Sequence, residues 1–171
     1  YFNTDINNKF ALIALISHIT YKAREKKPDV THYSIIRSIT KIGDNIVVLT
    51  PVYNMFYKTI SNNERNILES KLLFDGENYE IDFEDFENKI KQYNVKVYLL
   101  CSPHNPVGRV WTKNELNKII EICKKYNVFI VCDEIHSDFI WKGNHTCILN
   151  CTDIQKQVIL CTAPTKTFNL A

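Results

Sequence analysis

Five side chains carry most of the chemical potential of this sequence: Tyr53, Asn105, Asp133, His136 and Lys166. A lysine amine can attack a carbonyl or serve as a base. A carboxylate fixes a negative charge beside a cation, and a histidine can act directly or serve as a hydrogen-bonded support. Singly, each has an ordinary reading too. Asn105 suits a turn before Pro106, Asp133 the end of a strand, and Lys166 a solvated surface. What sets them apart is position: each follows an apolar run.

Those runs read as strands. Residues 45–50 (NIVVLT) form a short buried strand closed by Pro51, and 95–101 (VKVYLLC), 127–132 (NVFIVC) and 157–162 (QVILCT) form three more. Helical spacing runs through 10–24, which ends in basic residues, and through 31–40, which stops at Gly43. Between them lies a polar break, 25–29, around Pro28. The spacing also predicts a helix over 82–91 with acidic residues early, and another from Thr112 to about Lys125, opened by a Thr112/Glu115 capping box. Residues 53–60 have no decided pattern, Asp75-Gly76 marks a turn, and 102–109 (SPHNPVGR) is a loop. Strand, helix and strand at this crossover length make a βαβ unit. Runs apolar on both faces fit a parallel sheet covered by helices, so the predicted fold is α/β, three layers α/β/α around a mainly parallel sheet. Such sheets bind ligands beyond the carboxyl ends of their strands, where the five side chains would converge.

The chain has 171 residues, enough for one domain, and its 45% hydrophobic and 23% charged residues can fill a core. A net charge of +2 gives no electrostatic case for nucleic acid or a membrane surface. No apolar run approaches the roughly 20 residues of a membrane helix, and no signal-peptide pattern opens the sequence. A cytoplasmic location is expected. The six cysteines include no C-x-x-C pair and read as buried free thiols in a reducing compartment. His145, Cys147 and Cys151 come nearest to a metal set but lack a second pair at finger-like spacing, so they read as a loop, with no metal expected.

Four phrases occur in order, each at the end of a predicted strand. They are Pro51-Val52-Tyr53 with Phe56-Tyr57, then Ser102-Pro103-His104-Asn105-Pro106-Val107-Gly108, Asp133-Glu134-Ile135-His136, and Ala163-Pro164-Thr165-Lys166-Thr167-Phe168-Asn169. With them the sequence resembles the fold-type I pyridoxal phosphate (PLP) enzymes, the class I/II aminotransferase superfamily, and within it the cystathionine β-lyase / cysteine-S-conjugate β-lyase branch. The resemblance implies that residues 1–171 are part of the large PLP-binding domain, irregular over 1–36 and well matched over 37–171, with the C-terminal small domain absent. It implies that Lys166 forms the Schiff base with PLP and acts as the base. Asp133 would face the pyridine nitrogen, Asn105 would donate to the ring's phenolic oxygen, and Tyr53 and Ile135 would cover the two ring faces. Thr165 would donate to the phosphate. His136 would also belong to the cofactor-binding set, and it marks the β-lyase branch, where many aminotransferases of the superfamily carry a tyrosine.

The implied activity is α,β-elimination of L-cystathionine or cysteine S-conjugates to pyruvate, ammonia and a thiol, in a homodimer acting on a small amino-acid substrate. The alternatives are a class I/II aminotransferase, or an inactive fragment or pseudoenzyme of the family. A phosphate-holding glycine turn, usual in the family before the helix preceding Gly43, is replaced by Lys26-Lys27-Pro28-Asp29-Val30. A strand followed by Asp-Glu-Ile-His also resembles the DExH box of helicase ATPases. That reading needs an upstream G-x-x-x-x-G-K-[ST] loop, which the four glycines at 43, 76, 108 and 143 do not form.

Overall fold

The computed structural model describes residues 12–15, 30–151 and 155–169. In chain order the first half contains β1 (Leu12–Leu15), α1 (Val30–Ile39), β2 (Asn45–Thr50), α2 (Asn54–Ser61) and β3 (Asn66–Lys71). A small antiparallel hairpin follows, β4 (Leu73–Phe74) with β5 (Tyr79–Glu80), turning at Asp75-Gly76. The second half runs α3 (Phe83–Gln92), β6 (Val97–Cys101), α4 (Lys113–Lys125), β7 (Phe129–Asp133) and β8 (Val158–Thr162). The main sheet has the order β1-β8-β7-β6-β2-β3, and every neighbouring pair is parallel.

Alternation along the strands explains the three layers. Val47, Leu49, Tyr98, Leu100, Ile130, Cys132, Val158 and Leu160 face one side and pack with Phe86 and Ile90 of α3 and Leu116, Ile119 and Cys123 of α4. Ile46, Val48, Val97, Leu99, Val131 and Ile159 face the other and pack with Ile35 and Ile36 of α1 and Phe56 and Ile60 of α2. Period-2 side-chain direction divides one apolar run between two cores. Burying each such side chain contributes about 1.5–3 kcal/mol.

Helix ends follow local chemistry. The Thr112 hydroxyl accepts from Glu115 N–H at 3.2 Å, and the Glu115 carboxylate accepts from Thr112 N–H at 2.7 Å, so the capping box forms as expected. Asp82 caps α3 through Asp85 N–H at 3.0 Å, with Glu84 and Asp85 in the first turn and Lys89 and Lys91 in the last.

Three readings need correction or completion. Residues 12–15 are a strand beside β8, not part of a helix over 10–24. Leu-Ile-Ala-Leu is apolar throughout, and so short a run fits either period. The rest of that stretch, and 25–29 with Lys26 and Lys27, lie outside the described residues. Residues 54–61 form helix α2. β3, whose sequence NILESK is mostly polar, pairs along the outer side of β2. Among the described residues no helix is long and apolar enough to cross a membrane.

Candidate active site

Parallel pairing brings the carboxyl ends of β2, β6, β7 and β8 to one edge of the sheet. The register there is tight. Asp133, the last residue of β7, pairs with Cys101 of β6 on one side and Cys161 of β8 on the other. The ladder continues one step beyond, with Ser102 N–H donating to the Asp133 carbonyl at 2.9 Å and Glu134 N–H to the Cys161 carbonyl at 2.8 Å. The strand tips therefore have fixed relative positions.

Asp133 is buried at 7% exposure. Its Oδ1 accepts from the N–H of half-buried Ile135 at 3.0 Å, and its Oδ2 lies 3.6 Å from Nε2 of His32 on α1. The His32 ring stands edge-on to Phe56, centroids 5.4 Å apart. Phe56 in turn meets Tyr53 edge-on at 6.1 Å. Tyr53 precedes the first residue of α2 and is 38% exposed. A row of rings thus leads from the exposed Tyr53 to the buried carboxylate.

The neighbouring acid points the other way, as alternation requires. Glu134 Oε1 accepts from Ile148 N–H at 2.8 Å, and Oε2 is 2.8 Å from His145 Nε2. Glu134 and His145 fasten the segment after β7 to the core. Among the described residues no group of three or more His, Cys, Asp and Glu side chains could hold a metal ion. All six cysteines are free; five are buried and Cys147 is half-buried.

The loop after β6 is held by His104, which is 1% exposed. Its Nε2–H donates to the Pro51 carbonyl at 2.9 Å, and its Nδ1 lies 3.3 Å from the Cys101 carbonyl. Trp111 Nε1–H donates to that same carbonyl at 2.9 Å. Burial pushes the His104 pKa below its ordinary value, although the two carbonyls pull upward. The loop closes with Gly108 N–H on the His104 carbonyl at 2.8 Å, and Gly108 takes φ +75, a conformation that favours glycine. Asn105 is anchored by its backbone N–H on Cys101 Sγ at 3.4 Å, which leaves its side-chain amide uncommitted among the described residues.

Asn105 and His136 line one cleft of about 420 Å³, with Pro103, Gly108, Phe139 and Lys142 among the other walls. The half-buried His136 lies edge-on to Phe139 at 6.2 Å. Lys166 sits in the turn after β8, closed by Phe168 N–H on the Pro164 carbonyl at 3.0 Å. The Thr167 hydroxyl donates to the Asp138 carboxylate and ties this turn to the segment after β7. Lys166 is exposed, Thr165 beside it is half-buried, and Lys166 Nζ has no ion-pair partner among the described residues. The structure therefore brings Asn105 and His136 to one cleft and links Tyr53 through Phe56 and His32 to Asp133, whose carboxylate also holds the Ile135 N–H. It sets Thr165 and Lys166 on the adjoining tip. Sequence reasoning missed His32, Phe56 and His104 as supports. The His104 position between Pro103 and Asn105-Pro106 was the available signal; for His32 the helical pattern offered none.

The sequence model of the family Aminotransferase class I and II matches residues 32–171. Cystathionine beta-lyase PatB of Bacillus subtilis (strain 168) is 42% identical over 138 residues, covering 80% of this chain and 36% of that protein. Protein MalY of Escherichia coli (strain K12) is 33% identical over 136 residues, covering 80% and 35%. Among solved structures, cystalysin from Treponema denticola, which contains a pyridoxal 5′-phosphate cofactor, superposes with a TM-score of 0.77 at 45% identity over 81% of this chain and 36% of that one. The PLP-bound C-S lyase from Staphylococcus hominis gives 0.78 at 30% identity over 82% and 36%. The chain spans about a third of the length of the curated relatives it matches. With a family match running from α1 through the Lys166 turn and the same parallel sheet in its structural neighbours, the chain belongs to the class I and II aminotransferase family.

Proposed function

We propose that the chain is the cofactor-binding part of a pyridoxal phosphate-dependent carbon–sulfur lyase, which releases a thiol, pyruvate and ammonia from L-cystathionine or a cysteine S-conjugate. The observation that carries this reading is the set of strand tips: Tyr53, Asn105, Asp133 to His136 and Lys166 follow four parallel strands at one sheet edge. The relatives named cystathionine beta-lyase and C-S lyase support the lyase; of the proteins named aminotransferase, the aspartate aminotransferase of Sulfolobus acidocaldarius matches at 27% and the putative aminotransferase from Clostridium difficile 630 at 45%.

The residues fit the cofactor. A buried carboxylate at a strand tip suits a protonated ring nitrogen, because opposite charges at short range in a poorly hydrated place favour both charged forms. The uncommitted Asn105 amide suits a ring oxygen, and the uncommitted Lys166 amine suits an aldehyde. Bound there, PLP supplies an electron-poor ring that takes up the electron pair left at the substrate α-carbon. Asp133 keeps the ring nitrogen protonated. Asn105 orients the ring, Tyr53 and Ile135 cover its faces, and the Thr165 hydroxyl donates to the phosphate. Lys166 Nζ would hold the aldehyde carbon until the substrate amine takes its place there, and the amine so released would take the α-proton, a role that typically contributes about 10²–10⁴-fold. His136 shapes the cleft beside Asn105. Residues 1–171 then belong to the large domain of a cytoplasmic homodimer.

The test is pyruvate release from L-cystathionine by the PLP-loaded protein with no keto acid present. Release supports the lyase. Amino transfer that requires a keto acid replaces it with the aminotransferase, and PLP binding with neither reaction overturns both activities.

A further inference from the structure

We infer that His32 is the positioning residue of Asp133: its imidazole keeps that carboxylate ionised and aimed at the strand-tip edge before any cofactor binds. The inference rests on the proposed role of Asp133 toward the ring nitrogen and adds a residue outside the motifs that suggested that role.

Burial is the first ground. His32 and Asp133 are 3% and 7% exposed. A carboxylate removed from water to that extent is costly to ionise unless an opposite charge or donors face it. Ile135 N–H holds Oδ1 at 3.0 Å. His32 Nε2 faces the other oxygen at 3.6 Å, within ion-pair range and longer than a direct hydrogen bond. The two contacts approach different oxygens and so fix the plane of the carboxylate.

Independence of origin is the second. Ile135 belongs to the same segment as Asp133, whereas His32 comes from α1, across the sheet face. The imidazole is held by the Phe56 ring of α2, 5.4 Å away at 64°. Its position is thus set by helix packing and does not depend on the loop that it steadies. Two buried thiols lie close enough to sense Asp133. Cys101 of β6 and Cys132 of β7 both feel the Asp133 charge, and burial pushes Cys101 up to about 12 and Cys132 upward as well. They stay neutral near pH 7, and Phe56 carries no charge. The imidazole can carry the charge opposite to Asp133.

A cationic ring nitrogen would share the same carboxylate. Cofactor binding then weakens the hold of Asp133 on the His32 proton, which links the two events.

The experiment follows the His32 imidazole by NMR in the cofactor-free full chain, with and without Asp133→Asn, and measures PLP affinity by absorbance. Loss of the carboxylate charge is expected to lower the His32 titration midpoint by about one unit, a tenfold change in proton affinity. His32→Leu is expected to weaken PLP binding about tenfold or more, and His32→Gln, which retains a donor, to restore most of it. An unchanged His32 midpoint in Asp133→Asn overturns the pairing and leaves the cofactor role of Asp133 standing. PLP affinity unchanged by Asp133→Asn overturns that role instead, whatever the NMR shows. Equal PLP binding by His32→Leu and the parent chain overturns the positioning role. The NMR arm uses no His32 variant, so a folding defect in His32→Leu does not shelter the inference.

Discussion

Two adjacent acids, Asp133 and Glu134, have opposite assignments, and Glu134→Ala separates them. Strand alternation turns Glu134 toward the core that holds Ile148, and its two oxygens meet Ile148 N–H and His145 Nε2, each at 2.8 Å. The carboxylate is 4% exposed. Hydrogen bonds to a charged group contribute about 1.5–3 kcal/mol each. Removing one side of a buried pair costs about 3–5 kcal/mol, because the other side stays buried and unanswered. Glu134→Ala should therefore lose about 3–5 kcal/mol in urea unfolding followed by circular dichroism. At about 2–4 °C per kcal/mol for a chain of this size, the midpoint temperature should fall by about 6–20 °C. At a temperature where the variant stays folded, its PLP affinity should match the parent, whereas Asp133→Asn should keep its stability better and lose PLP. A loss below about 1 kcal/mol in Glu134→Ala, or a selective loss of PLP binding, would refute the division of labour between the two acids.

Lys166→Ala should abolish both turnover and the visible absorbance of bound PLP, checked by pyruvate assay and spectrum; retention of either contradicts its role. Burial holds the His104 pKa below its unfolded value of about 6.5. The unfolded chain therefore binds the proton first on acidification, and stability falls as pH drops from about 6.5 toward the folded value. Urea midpoints at pH 7.5 and 5.5 should show this loss, and His104→Gln should reduce it. Thiol titration of the native chain at pH 8 should find slow reaction throughout. Cys147, half-buried with its pKa pushed up to about 11, should react before the five buried thiols, whereas in urea all six react at once. Thr112→Ala should cost about 1 kcal/mol by unfolding α4 from its capping box.

The central strands were legible because they are buried on both faces. Continuous runs such as NIVVLT and NVFIVC have few other uses, and Pro, Gly and Asp mark where they stop. Thr112 and Glu115 announced α4 through a local device that needs no tertiary help. The edge was harder to read. NILESK is half exposed and, among the described residues, pairs only with β2, so neither its pattern nor its composition stands out. LIAL is too short for periodicity to choose between helix and strand. The site divides the same way. Asn105, Asp133, His136 and Lys166 could be placed from strand ends plus parallel pairing. His32 could not, since its approach to Asp133 depends on how α1 crosses the sheet, a relation between residues far apart in sequence.

The most direct test is the covalent one. The purified chain is incubated with PLP, scanned in the visible range, reduced with borohydride and digested, and the modified lysine is mapped by mass. A visible band that reduction removes, with the label on Lys166, is the predicted result. A label spread over exposed lysines such as Lys142 and Lys58, or no band at all, would contradict the assignment of these strand tips to one cofactor.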